Sequence, residues 1–142
     1  MSEKMRLKNE LEQLFREKNM SIPAKSMEAH GEEVIFFELR DRLKSTGAQA
    51  ALLVFLDSTK VQLLYTGVGQ LEGNVRCLEA LNQENARINY GAHIINNGHH
   101  QFRYTALIDN LKAQDVVDLV FAGFKTVDRA YEGIMKARYS FS

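Results

Sequence analysis

Apolar positions along this chain repeat with two different periods, and the changes of period divide it into elements. Leu7, Leu11, Leu14 and Phe15 fall at helical spacing across Glu3–Asn19 with charges between them, which predicts an amphipathic first helix. Ile22-Pro23 breaks it, because proline disfavours a helical residue before it. The stretch to Gly31, with Ser26 and His30, reads as a connector. From Glu33 to Leu39 the period drops to two, placing Ile35, Phe37 and Leu39 on one face of a strand and Val34 and Phe36 on the other. Ser45-Thr46-Gly47 ends the next connection, and Ala50–Leu56 and Val61–Thr66 are two further strands joined by Asp57-Ser58-Thr59-Lys60. With Ser58-Thr59 as the loop, Asp57 faces Lys60 as an opposite-charge pair. That register gathers Leu52, Val54, Leu56, Val61, Leu63 and Tyr65 on one face. The other carries Leu53, Phe55 and Leu64 among Lys60, Gln62 and Thr66.

Gly67-Val68-Gly69 leads towards a second helix over Gly73–Arg87, with Val75, Leu78, Leu81 and Ala86 as its apolar side. Two strands follow. Ile88, Tyr90, Ala92 and Ile94 alternate, as do His100, Phe102, Tyr104 and Ala106, about a turn at Asn96-Asn97-Gly98. A two-residue Asn97-Gly98 loop pairs Asn96 with His99 and sets Ile94 beside Gln101 and Arg103. A three-residue loop pairs Ile95 with His99 and sets Ile94, Ala92 and Tyr90 beside His100, Phe102 and Tyr104. A slip of one residue turns every side chain over, and the three-residue loop is expected because only it gathers the apolar residues. A last helix over Gln114–Arg138 carries the stripe Val117, Val120, Phe121, Phe124, Val127, Tyr131, Ile134 and Met135. Asp115 and Asp118 near its start and Lys136 and Arg138 near its end suit the helix dipole. Gly123 and Gly133 each cost roughly 1 kcal/mol in helix propensity, which points to close packing. The order α-βββ-α-ββ-α predicts an α+β domain, residues 1–142, with helices packed on an antiparallel sheet.

This order resembles the class I type III secretion chaperone architecture. Leu81, Asn82, Asn85, Asn89, Tyr90 and Gly91, with Phe102-Arg103-Tyr104 on the partner strand, resemble the YbjN family. Its members are described as putative bacterial sensory transduction regulators, similar in fold to those chaperones. The resemblance covers about Val34 to Tyr131. It implies a type III secretion chaperone-like fold and a bacterial role in protein binding or regulation; the family carries no established catalytic residues.

With 142 residues the chain can bury roughly 70% of its unfolded surface, enough for a core without staples. Eighteen basic residues balance eighteen acidic ones, so the basic footprint of nucleic-acid binding is missing. Cys77 is the sole cysteine, which excludes an internal disulfide or a cysteine metal cluster and suits a reducing compartment. The charged amino terminus lacks a signal-peptide core, and no apolar run approaches the ~18 residues of a membrane span. A cytoplasmic protein is expected.

Candidate chemistry is sparse. Gly67, Gly69 and Gly73 follow a strand and precede a helix, as in a dinucleotide site, but that site needs a parallel βαβ unit. The acidic residue about twenty positions on is also missing, where the chain reads Asn89 to Ala92. His93, His99 and His100 cluster in sequence, with His93 and His99 expected on one face and His100 on the other. No carboxylate lies in the hairpin to complete a metal site, so a polar hairpin tip is the plainer reading. Cys77 reads as a packing residue. Ser58 lacks the strained elbow of a hydrolase, and Asp57 and Asp109 read as turn formers as readily as catalytic carboxylates. Asn85, Asn89 and Arg103 stand out as polar-contact residues, with Arg103 able to extend over Gly91 towards a carboxylate on a partner; an ordinary solvated sheet face, or Arg103 paired within the fold, is the plainer reading.

The expected function is a non-enzymatic protein-interaction module, chaperone-like or regulatory, with no cofactor, metal, nucleic acid or membrane and with an unidentified protein client. A homodimer is expected through Val34, Phe36, Leu53, Phe55 and Leu64, since so large an apolar face needs a cover; the last helix crossing over that face is the internal alternative. The other functional reading is a small-ligand sensor, its pocket lined by Tyr65, Tyr90, Phe102 and Tyr104.

Overall fold

The computed structural model describes residues 2–70, 75–88 and 90–138. Three helices and six strands follow in the order α1 (Glu3–Glu17), β1 (Lys25–Ala29), β2 (Glu32–Arg42), β3 (Gln49–Leu56), β4 (Lys60–Gln70), α2 (Val75–Asn85), β5 (Ala92–Asn96), β6 (His99–Leu107) and α3 (Ala113–Arg138). The strands form one antiparallel sheet in the order β1-β2-β3-β4-β6-β5. The fold is α+β, as the periodicity predicts. Among the described residues no helix is long and apolar enough to cross a membrane.

The inner face of the sheet is built as the strand patterns of β2, β3 and β4 require. Ile35, Phe37, Leu39, Leu52, Val54, Leu56, Val61, Leu63 and Tyr65 are all buried in one core with Leu7, Leu11 and Phe15 of α1 and Val116, Val117, Val120, Phe124 and Val127 of α3. Phe15 meets Phe37 edge to face at 5.6 Å. The β3–β4 turn has the expected register, Leu56 opposite Val61. The Asp57 carboxylate caps that turn, accepting from the Thr59 and Lys60 amides at 2.8 Å each and pairing with Lys60 Nζ at 3.1 Å.

α3 is seated on the sheet by one close approach. A Cβ on Gly123 would overlap the Tyr65 ring, so only glycine lets the helix come this near. The Tyr65 hydroxyl donates into the same helix, to the Val120 carbonyl at 2.7 Å and the Leu119 carbonyl at 3.0 Å. Phe124 closes the seat, its ring edge-on to Tyr65 at 5.1 Å. α2 then packs on α3, with Cys77 and Leu81 against Ala130 and Ile134. All three helices therefore lie on one side of the sheet, and α3 does not cross to the other.

The structure corrects four expectations. The connector after Pro23 contains β1, so four strands rather than three precede α2. β1 is a mostly exposed edge strand, with no buried face to impose alternation. The β1–β2 hairpin turns at His30 and Gly31, both with positive φ (52° and 78°), as a two-residue mirror-image turn requires. β4 continues to Gln70, with a register shift against β6 after Thr66; Gly67 and Gly69 thus lie in an antiparallel strand, and Gly73 lies outside the described residues. α2 buries Cys77, Leu81 and Glu84, whereas Val75 and Leu78 are exposed at 69% and 47%.

The fourth correction is the β5–β6 register. Asn96 pairs with His99 and Ile95 with His100, so the loop has two residues, Asn97 and Gly98, with φ of 51° and 76°. The local turn geometry of Asn-Gly outweighs the grouping of apolar side chains. Tyr90 still reaches the core, because Gly91 bends the chain at φ 64° ahead of β5. A Cβ at Gly91 would strike the Arg103 carbonyl. Ala92 and Ile94 consequently face outward with Arg103 and Gln101.

The two glycines of α3 should respond oppositely to alanine. Gly123→Ala forces a methyl into the fixed Tyr65 ring and should cost about 1–3 kcal/mol by overpacking, more than the helix propensity it gains. Gly133→Ala meets only the mobile end of Glu84, at 3.2 Å, and should gain up to about 1 kcal/mol. Urea melts of the two variants check the sign.

Candidate functional site: the uncovered sheet face and the histidine pair

The cross-strand pairings line up the outer face of the sheet in rows. Phe36 pairs with Phe55 and Phe55 with Gln62. One row over, Glu38, Leu53, Leu64, Arg103 and Ala92 succeed one another from β2 to β5. The next row runs Arg40, Ala51, Thr66, Gln101 and Ile94. Met27 extends the apolar area beside Val34 and is itself 45% exposed. Phe36 and Phe55 touch, ring centroids 6.1 Å apart. All five residues expected on this face, Val34, Phe36, Leu53, Phe55 and Leu64, are on it. Val34 is buried and the other four are half-buried, although α1, α2 and α3 all pack on the opposite side.

Charge sits at the two margins of this apolar field. On the β2 margin, Arg40 bonds Glu38 at 2.9 Å and Lys25 approaches the same carboxylate at 3.9 Å. The Arg40 guanidinium holds the Glu38 carboxyl below its ordinary value. On the β6 margin, Arg103 donates from Nη2 to Gln101 Oε1 at 3.1 Å. Its Nε is buried and has no hydrogen-bond partner. Guanidinium donors left dry and unpaired are costly.

The remaining expected site residues are dispersed. Asn85 lies on the helix side and clamps β5: its Oδ1 accepts from the His93 amide at 2.6 Å and its Nδ2 donates to the His93 carbonyl at 3.0 Å. It forms no polar group with Arg103. Asn89 lies outside the described residues. Ser58 is exposed and Asp109 sits in an exposed turn. For Asp57, partial burial opposes the charge, but hydrogen bonds from Thr59 and Lys60 outweigh it and hold the carboxyl below its ordinary value. Cys77 is buried at 1% exposure.

The corrected register brings His93 and His100, not His93 and His99, to one face. Both are buried, at 3% and 0% exposure. Their rings stack at 5.2 Å, with His93 Nδ1 and His100 Nε2 3.0 Å apart. The outer nitrogens, His93 Nε2 and His100 Nδ1, have no partner. Two neutral imidazoles can share one hydrogen bond this way, with one proton left unpaired on the far side of the accepting ring. A third proton would create a buried cation with no counter-ion. Burial accordingly pushes His93 down from 6.5 to about 4. Burial and the neighbouring His93 push His100 down to about 3. Among the described residues no group of three or more His, Cys, Asp or Glu is placed to hold a metal.

The four aromatic residues expected around a ligand pocket fill the space themselves. Tyr65 meets Phe102, Phe102 meets Tyr90 and Tyr90 meets Tyr104, with centroids 5.7, 5.7 and 5.8 Å apart. Thr126 donates to the Ala122 carbonyl at 2.9 Å, so the Tyr90 hydroxyl, 2.6 Å from Thr126 Oγ1, is the donor of that pair. Burial raises the Tyr65 hydroxyl above its ordinary value and keeps it neutral. An open groove of about 700 Å³ lies elsewhere, between α1 and the start of α3. Arg6 and Lys112 both line it, and Arg6 is engaged by Glu3, Glu10 and the Leu111 carbonyl at 2.6–2.8 Å. A scan against protein-family models and a search of curated proteins found no match to this chain.

The histidine pair makes stability depend on pH in a defined direction. Both groups have folded values below the unfolded 6.5, so the unfolded chain binds more protons as pH falls. Their contribution is fully present above 6.5 and should be lost progressively from 6.5 to about 3. A His93→Leu, His100→Leu double variant should lack this component. Denaturant melts of both proteins across that window check it, and equal pH slopes would refute it.

Proposed function

We propose that the chain is a non-enzymatic protein-interaction module, chaperone-like or regulatory, that binds protein through the outer face of its sheet, with a second copy of itself as the resident partner. The observation carrying this reading is the contiguous apolar field of Val34, Phe36, Leu53, Phe55 and Leu64 opposite all three helices. Antiparallel sheets with one solvated face carry mainly polar residues there, whereas here five apolar side chains stand together with Glu38, Gln62, Thr66 and Arg103 around them. A balanced net charge argues against nucleic acid as the partner, and the lone buried Cys77 fits a reducing cytoplasm. The protein-binding or regulatory role implied by the YbjN resemblance is the same reading.

The size of the field sets the strength. Four strands ~4.8 Å apart and about six residues long give a footprint of roughly 400 Å². Permanent dimers bury more than this, and interfaces at the low end of the range are transient. The self-association is therefore weak and reversible, and it exposes the face to a client on dissociation. The Arg103 guanidinium, bonded within the chain to the neutral Gln101, suits a partner that brings a carboxylate.

Phe55→Glu separates the interface from the core. The variant should keep its circular dichroism and melting midpoint, because Phe55 faces away from the helices, and should sediment as a monomer, because association would bury the new charge. Wild-type protein should show concentration-dependent sedimentation in the micromolar range. A wild type that remains monomeric at the highest attainable concentration would overturn the reading.

A further inference from the structure

Resting on that self-association, we infer that the two-fold axis of the dimer runs along the strands between β3 and β4, so that Glu38 of each copy pairs with Arg103 of the other. The argument is the order of side chains in one row: Glu38 on β2, Leu53 on β3, Leu64 on β4 and Arg103 on β6. Acid and base stand at the two ends, with two leucines between them. The midpoint of the row falls between β3 and β4, which is also the centre of the six-stranded order.

A face-to-face dimer of identical sheets allows few axis directions, because sheets pack nearly aligned or nearly orthogonal. An axis along the strands turns the row end for end. Leu53 then lies over Leu64 of the partner, and Glu38 over Arg103 of the partner, twice by symmetry. In the adjacent row Arg40 meets the neutral Gln101. An axis across the strands keeps each strand over the same strand of the partner, so Arg103 meets only residues of β6, which carries no carboxylate. A diagonal axis sets both charges over the central strands of the partner, where each would be buried against apolar side chains. Only the first direction satisfies both ends of the row. It also brings a carboxylate to the Arg103 guanidinium, which within one chain bonds the neutral Gln101. Glu38 already shares its charge with Arg40 and Lys25, both with exposed side chains that remain free to turn to solvent.

The test is a charge exchange followed by sedimentation equilibrium. Glu38→Arg and Arg103→Glu should each weaken the dimer about tenfold, because symmetry makes each like-charge contact occur twice. The double variant should return to within about threefold of wild type. A double variant no tighter than the weaker single variant would overturn the axis. So would single variants that dimerise like wild type. A second measurement does not depend on charge: mixing Glu38→Cys protein with Arg103→Cys protein and adding a short bismaleimide should give the mixed cross-link in preference to either homodimer. Cys77, being buried, stays unreacted. Preferential Glu38→Cys self-linking would place the axis across the strands. If wild type dimerises and Phe55→Glu abolishes it, failure of these tests removes the axis alone; if wild type does not dimerise, the interaction face falls with it.

Discussion

The contact between Tyr65 and Gly123 decides which side of the sheet is covered. A phenol ring on β4 occupies the space where any other residue of α3 would hold a side chain, and its hydroxyl bonds carbonyls of that helix. This sets α3 on the inner face at a fixed height. α1 shares the core that α3 closes, and α2 reaches the sheet by leaning on Ala130 and Ile134. Were α3 held off by one methyl group, both neighbours would lose their footing. The outer face is left bare as a direct result, since all three helices among the described residues lie on the other side.

Polar groups are managed differently on the two sides. On the inner face, His93 and His100 are tolerated because each is the other's partner, and Asn85 ties the same strand to α2 through both backbone groups of His93. That arrangement is internally closed apart from two ring nitrogens. On the outer face, Arg103 is only partly engaged, by Gln101. The imidazoles stay dry and neutral, whereas a guanidinium keeps its charge at any physiological pH. The first device stabilises one closed corner; the second leaves an unmet demand on a surface.

Much of the fold was legible because burial on one side writes a period into the sequence. β2, β3 and β4 alternate cleanly, and all the inner residues they predict are inner. α1 and α3 show their stripes for the same reason, though Phe121 proves marginal at 38% exposed, with Lys18 Nζ 5.7 Å from its ring centroid. β1 left no such trace, because an edge strand with an almost fully exposed surface has nothing to alternate against. α2 misled because Val75 and Leu78 are apolar yet outside, while Glu84 is inside. The hairpin register failed on an assumption of continuity. Unbroken alternation makes Tyr90 part of the strand, whereas the bend at Gly91 frees it to reach the core independently of Ala92 and Ile94. The outer-face residues were legible from parity alone. The histidine pair was not, since only the turn geometry at Asn97-Gly98 decides which imidazoles meet.

The seam between β4 and β6 has a consequence for assembly in time. β1 to β4 form a meander in which each strand turns straight back on the one before, and β5 and β6 form a hairpin of their own. These pieces are local and close quickly. The seam pairs Lys60 with Leu107 and Gln70 with His99 across the whole of α2, so its ordering entropy falls due before its contacts form. Folding should therefore proceed by early hairpins and late closure of this seam, with the facing edges of β4 and β6 open until then. Two chains caught at that stage offer each other the same edges, and exchange of the segment from α2 to α3 between them would rebuild both sheets with native pairings.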